Sequence, residues 1–206
     1  MKSGSSEKSR SKTGKSFLPP AGWKLHGLAL LVLFALAIGS LGSPLFSGDR
    51  ILSSASADVA AQFLYTRGFG FTEMAGGNFP LWNPYFYGGA PFLGDFQSAL
   101  LYPLNFIFLI LPIPVAINWS FALHVFLLGA TTYAWAVAGR GLKPLAAFVA
   151  GAACMFCAPF FLHIEAGHLS NVCSMAWIPL VFLGIDGWLQ RRHQARRLDV
   201  AGRRSG

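Results

Sequence analysis

Charge is scarce in this chain. Only 12% of its 206 residues are charged, where a soluble domain usually carries about a quarter. Set beside 54% hydrophobic residues, the deficit excludes an ordinary soluble domain and points to an integral membrane protein. Acids are the scarcer sign, eight against 16 Lys and Arg, for a net charge of +8. The basic residues sit in the two ends and one short loop rather than along one face. They therefore imply membrane flanks, not nucleic acid. Cysteine is nearly absent: Cys154, Cys157 and Cys173 all fall in apolar segments. An odd count with no Cys/His pair speaks against zinc. The C-x-x-C at 154–157 reads as two small hydrophobes, with a redox or metal role as the weaker alternative.

Lysine and arginine are missing altogether from residues 77–105, GNFPLWNPYFYGGAPFLGDFQSALLYPLN. This stretch has neither a helical period nor strand alternation. It is too apolar for a solvated linker. Its aromatics suit the headgroup region of a bilayer, and its Gly and Pro residues set turns. Such a loop is expected to be ordered and to lie on the membrane. The plain alternative is a structural plug.

A spanning helix needs about 20 apolar residues. Four segments qualify: 26–46, 117–138, 145–163 and 171–189. The first follows six basic residues and resembles the start of a signal peptide. Its apolar run is too long for that, and no clear A-x-A site follows, so an uncleaved helix is favoured. Residues 47–100 form a long loop. Residues 101–113, rich in proline, read as interfacial or re-entrant. Trp119 and Trp188 lie near span ends, as an aromatic belt requires. Of the 16 Lys and Arg, only Arg50 and Arg67 fall on the side of the long loop, which also holds Asp49, Asp58, Glu73, Asp95 and Glu165. The positive-inside rule then places both termini in the cytoplasm and the long loop outside. Residues 1–25 and 191–206 become basic cytoplasmic tails around a membrane module at 26–190. The Ser/Lys-rich start is expected to be disordered.

The runs GDRILSSASADVAAQF, GNFPLWNPYFYGGAPFLGDFQSALLYPLNFIF, INWSFALHVFLLG and HIEAGHLSNVCSMAWIPLVFLGIDGW resemble bacterial YfhO-like membrane proteins. Those proteins are similar to the GT-C glycosyltransferase superfamily, which uses polyprenyl-phosphate-linked sugars. The resemblance covers roughly residues 26–190. It implies an all-α membrane fold like the N-terminal part of a GT-C protein, in the bacterial cytoplasmic membrane. It also implies an acid in the first external loop, acting as general base or binding a divalent metal, Mg or Mn, near the donor phosphate. Asp49 and Asp58 both match. Asp58 is preferred for its D-x-x-x-Q spacing to Gln62, followed by an aromatic.

Sugar transfer to a hydroxyl needs a carboxylate to take the proton, and the leaving phosphate needs a cation. Arg50 and Arg67 are the candidates for the phosphate. Gln62, Asn83, Asp95, Gln97 and His168 are the further candidates for donor contact, with Asn105 beside Asn83 as a residue that either meets sugar hydroxyls or caps a turn. His163, Glu165 and His168 cluster in HIEAGH. Glu165 and His168 are spaced to share a helical face, and Glu165 joins Asp58 as a metal-ligand candidate. The alternative is an interfacial polar turn. His124, inside a span, is a functional hypothesis by position, against a neutral His bonded to a neighbouring helix. Asp186 is expected to pair with the basic tail.

Family members have more spans, and RRHQARRLDVAGRRSG does not resemble their next segment. A truncated product or one half of a split protein is therefore expected, with a partner chain supplying further spans. The leading reading is the N-terminal module of a GT-C-like transferase. The rivals are a non-enzymatic membrane protein, such as a remnant or assembly partner, and a small transporter subunit. A transporter should line several spans with polar groups and break helices near the midplane.

Overall fold

A computed structural model describes residues 22–95 and 97–204. Helix α1 runs Trp23–Leu41. It starts before the expected position 26 and stops before 46. Gly42, at φ 62°, ends it, and Pro44 opens a separate 3-10 turn at Ser43–Phe46. Glycine leaves the helical region without strain, and proline cannot continue the hydrogen-bond ladder.

The long loop is more structured than its composition indicates. A π-turn at Val59–Phe63 leads into α2, Leu64–Ala75. Two short antiparallel strands follow, β1 (Trp82–Asn83) and β2 (Ala90–Pro91). Their hairpin needs Gly89, whose φ is +118° and where a Cβ would sit 2.7 Å from the Trp82 indole. The expected interfacial segment contains a 3-10 helix at Pro103–Leu109. Pro112 then caps α3, Ile113–Ala134, and a π-turn extends it to Gly139. Proline is well placed at a helix start, where its missing N–H has no partner to lose.

The third and fourth spans are both broken. α4 (Pro144–Met155) gives way to α5 (Ala158–Glu165), with Pro159 in the first turn of α5. α6 (Leu169–Met175) gives way to α7 (Ile178–Arg204) before Pro179. The second break frees the Ala176 carbonyl, and Thr131 Oγ1 donates to it at 2.9 Å. Neighbouring Ser and Thr commonly restore such lost pairs in apolar surroundings. Helix α7 passes straight through the expected boundary at 190, since the basic segment contains strong helix formers and no proline. Residues 1–21 of the expected N-terminal tail lie outside the described residues.

Four helical segments are long and apolar enough to cross a membrane: Trp23–Leu41, Ile113–Gly139, Pro144–Glu165 and Leu169–Arg196. They match the four expected spans to within a few residues at most ends. α3 is central and packs against α1, α4, α6 and α7. Against α4 the backbones nearly touch: a Cβ on Gly151 would lie 2.7 Å from the Gly129 carbonyl oxygen. Small residues permit this close approach, a common device in membrane bundles. Residues 42–112 and 165–168 gather at one end of the bundle, the loop end. The 139–144 loop and the start of α1 mark the other, the tail end.

Candidate functional site at the loop end

Residues 51–58 fold back across the end of α5. The Ser54 N–H donates to the Glu165 carbonyl at 2.9 Å, and the Asp58 N–H donates to the Ala166 carbonyl at 3.3 Å. Gly167 makes the approach possible. Its φ is +73°, and a Cβ there would lie 2.7 Å from the Val59 nitrogen and 3.1 Å from that of Asp58. Only glycine meets both demands.

This docking joins two residues from distant parts of the chain. His168 Nε2 lies 3.5 Å from Asp58 Oδ2, and His168 Nδ1 lies 2.9 Å from His163 Nδ1. One tautomer set satisfies both contacts. Nε2–H of His168 points to the carboxylate, and its Nδ1 accepts from Nδ1–H of His163. The hydrogen-bonded pair His163 and His168 thus lies within ion-pair distance of an exposed carboxylate. Glu165, Ser54 and Leu162 stand beside it and border two adjoining depressions. One, of about 470 Å³, includes His163 and His168. The other, of about 730 Å³, runs between the end of α1 and α5 past Leu41, Ile51 and Phe161. A depression edged by His163, Glu165 and His168 thus adjoins a groove walled mainly by apolar side chains.

Asp49 has a different environment. Ser47 donates a hydrogen bond to its carboxylate. That bond, its own backbone N–H and the nearby Arg50 hold the carboxyl below its ordinary range. A carboxylate stabilised in this way is a poorer proton acceptor. Arg50 is exposed, and its backbone carbonyl accepts from Asn118.

Gln62 and Gln97 bond to each other through their side-chain amides. Asp95 accepts from the Gln97 N–H at 3.0 Å, and Asn83 from the Tyr85 N–H at 2.9 Å. Both contacts set turns. Arg67 is 1% exposed, sits on α2 and donates to the Ser98 carbonyl. Burial pulls its guanidinium down to about 10, still cationic at neutral pH. Asn105 donates to the Ala99 carbonyl at 2.9 Å.

His124 is fully buried in α3 and belongs to a chain of paired polar groups. Its Nδ1 lies 2.6 Å from the Ser120 carbonyl, and its Nε2 lies 2.7 Å from the Tyr102 hydroxyl. The Trp177 indole N–H donates to that hydroxyl at 2.8 Å. Each donor finds an acceptor if Nδ1 carries the histidine proton. His124 therefore ties α3 to the 102–105 segment and, through it, to α6. Asp186 does not pair with the tail among the described residues. Its Oδ2 takes a hydrogen bond from Trp135 at 2.9 Å and lies 3.4 Å from Arg140, in the loop between spans. Arg140 faces it because α7 packs on the end of the second span.

The aromatic tip of the loop is not covered by the chain itself. Trp82, Tyr85, Phe86 and Tyr87 are all exposed, Tyr87 at 93%. Phe92 by contrast is buried, as part of the core under α2. Phe96 lies outside the described residues.

Two residues that hold this end together were not among the candidates drawn from the sequence. Gly167 is one. Asn118 is the other: wholly buried near the start of α3, it donates to the carbonyls of Pro44 and Arg50, both at 2.7 Å, and accepts from the Leu52 N–H at 2.8 Å. Its signal in the sequence is a lone amide in the first turns of an apolar helix. Among the described residues, no group of three or more His, Cys, Asp or Glu side chains is placed to hold a metal ion. Asp58 faces His168, and Glu165 contributes its backbone carbonyl to the docking. Comparison with known proteins finds no matching family model, no matching curated protein and no matching solved structure.

Proposed function

We propose that this chain is the N-terminal module of a GT-C-like membrane glycosyltransferase that draws a sugar from a polyprenyl-phosphate donor at the loop end of the bundle, outside the cytoplasm. One observation carries the reading. His168, 3.5 Å from the Asp58 carboxylate, lines a depression that adjoins a groove walled mainly by apolar side chains between α1 and α5. A lipid-linked donor has that same division, a polar head on a long apolar chain. The polyprenyl chain takes the side between α1 and α5, and the sugar phosphate faces His163, His168 and Asp58.

In the reaction, the acceptor hydroxyl attacks the sugar C1 and loses its proton to Asp58. The bond from C1 to the phosphate oxygen breaks, and the lipid phosphate leaves with that electron pair. His168, hydrogen-bonded to His163, steadies the Asp58 carboxylate. Arg50, exposed on the loop side, is the candidate cation for the leaving phosphate. A partner chain with further spans closes the site over the acceptor. The broken third and fourth spans also suit a transporter, the second reading. However, the polar groups near the α6–α7 break are engaged with one another or with backbone, as His124, Tyr102, Trp177 and Thr131 are.

The test is sugar transfer from a polyprenyl-phosphate donor in membranes containing the chain, with each variant at matched expression. Asp58→Asn keeps the size and removes the base, so transfer falls about 10²–10⁴-fold. Asp49→Asn leaves it nearly unchanged. The reverse result would assign the base to Asp49.

A further inference from the structure

Arg67 is the most unusual charge in the molecule. It is 1% exposed, and among the described residues no carboxylate lies within ion-pair distance of it. Asp95 acts on it only at longer range. A buried charge without a partner is costly, so what the guanidinium does meet decides its purpose. The rings of Phe63 and Phe108 lie 5.7 and 5.9 Å from it. These cover its faces and steady the cation. They leave its edge unserved. A guanidinium has five N–H donors; one nitrogen donates to the Ser98 carbonyl, and Nε–H has no acceptor.

Arg67 also lines a cavity of about 270 Å³, with Tyr102, Asn105, Ser170, Ser174 and Trp177 among its other walls. Two more unserved polar atoms occur on the same walls. Ser170 Oγ and Asn105 Oδ1 are buried and have no hydrogen-bond partner. Buried polar groups are nearly always paired, and three exceptions around one cavity require a cause. The backbone there is also strained. Ala99, on the cavity wall, has φ +42°, a conformation unusual for a residue with a side chain. It lies between the two carbonyls that accept from Arg67 and Asn105. Strain of this kind persists only where the surroundings enforce it, and it clusters at ligand sites.

The geometry points to an anion site: the Arg67 cavity binds a phosphate or phosphomonoester group, held by the free guanidinium edge and the Ser170 hydroxyl, with Asn105 Oδ1 accepting from a protonated phosphate oxygen. The paired N–H donors of a guanidinium match two phosphate oxygens in spacing and charge, and the pair is strong where water is excluded. The volume, about 270 Å³ against the ~30 Å³ that a water takes up in the liquid, admits a phosphate group together with part of the molecule that bears it. The site lies apart from Asp58, whose only charged partner among the described residues is His168, and it stands without the transferase reading.

Free phosphate and a lipid headgroup share this chemistry, so the test has two arms. The full chain is placed in nanodiscs, and tryptophan fluorescence is read, with Trp177→Phe identifying the part that comes from the cavity wall. In the first arm, discs of phosphatidylcholine alone are titrated with inorganic phosphate against chloride at equal ionic strength. In the second, discs carry increasing phosphatidic acid without free phosphate. A saturable change in either arm is expected, and the responding arm names the source. Arg67→Gln abolishes it. Ser170→Ala, which removes one hydrogen bond to a charged ligand, weakens it at least about tenfold and covers the case in which Arg67→Gln fails to fold. Asp58→Asn leaves it unchanged, which separates this site from the proposed catalytic one. The proposal is overturned by a response equal to that of chloride, by no response in both arms, or by a response that survives Ser170→Ala undiminished.

Discussion

His168 Nε2 lies 3.5 Å from Asp58 Oδ2, and the backbone holds them there. Both side chains are well exposed, at 38% and 55%, so their mutual attraction is weak. An exposed pair contributes only about 0.2–1 kcal/mol. The amide bonds from Ser54 and Asp58 to the 165–166 carbonyls supply the alignment instead. A functional role and a structural role therefore separate cleanly. His168→Gln should change thermal stability little and lower sugar transfer strongly. The double variant Asp58→Asn/His168→Gln should lose little more transfer than Asp58→Asn alone, because the two act as one unit. Fully additive losses in the transfer assay would show that they act separately.

Gly167→Ala should undo the alignment without touching either side chain. The new Cβ meets the Val59 nitrogen at 2.7 Å, and the backbone at φ +73° disfavours alanine. Strain of this type costs about 1–3 kcal/mol, enough to release residues 54–58 from α5. Hydrogen exchange should then speed up at the Ser54 and Asp58 amides, while α3 amides stay protected. Unchanged exchange at Ser54 would refute the role assigned to Gly167.

Asn118→Ala should be the most damaging polar substitution at the loop end. It removes three hydrogen bonds and leaves buried backbone groups without partners. The expected loss is about 2–4 kcal/mol, read as a lower unfolding temperature in nanodiscs. Asn118→Asp keeps the acceptor for the Leu52 amide and loses both donors, so it should also destabilise. A neutral Asn118→Ala would mean that the 44–52 turn is held by packing alone.

Orientation is testable at positions the fold leaves open. Tyr87, at 93% exposure, marks the loop end, and Gln194, exposed on α7, marks the tail end. With the native cysteines replaced, Tyr87→Cys should react with an impermeant thiol reagent on intact cells. Gln194→Cys should react only after permeabilisation. The opposite pattern would invert the membrane topology. Ser98 is unsuitable for this purpose, because it is only 3% exposed and its carbonyl accepts from Arg67.

The four spans were legible in the sequence because a bilayer imposes a simple requirement of length and apolarity, which residues 26–46, 117–138, 145–163 and 171–189 meet one by one. Asp58 and His168 were legible as single candidates by residue type. Their contact was not. It depends on the segment after α1 crossing the end of α5, and on Gly167 being the residue at the crossing. The helix at 64–75 was hidden because glycines and mixed polarity blur its period. Its form comes from packing Phe71 and Arg67 into the bundle.

Arg67 shows the division most sharply. Composition marked it as one of two basic residues on the loop side, equal in rank to Arg50. Tertiary structure exposes Arg50 to solvent, its backbone pinned by Asn118. It buries Arg67 between two phenyl rings, beside a cavity that the residue helps to line. Sequence determines which groups a chain carries and how far along it they lie. Burial and unmet hydrogen bonds arise only when segments far apart in the chain close around a group, and those fix what a charge can bind.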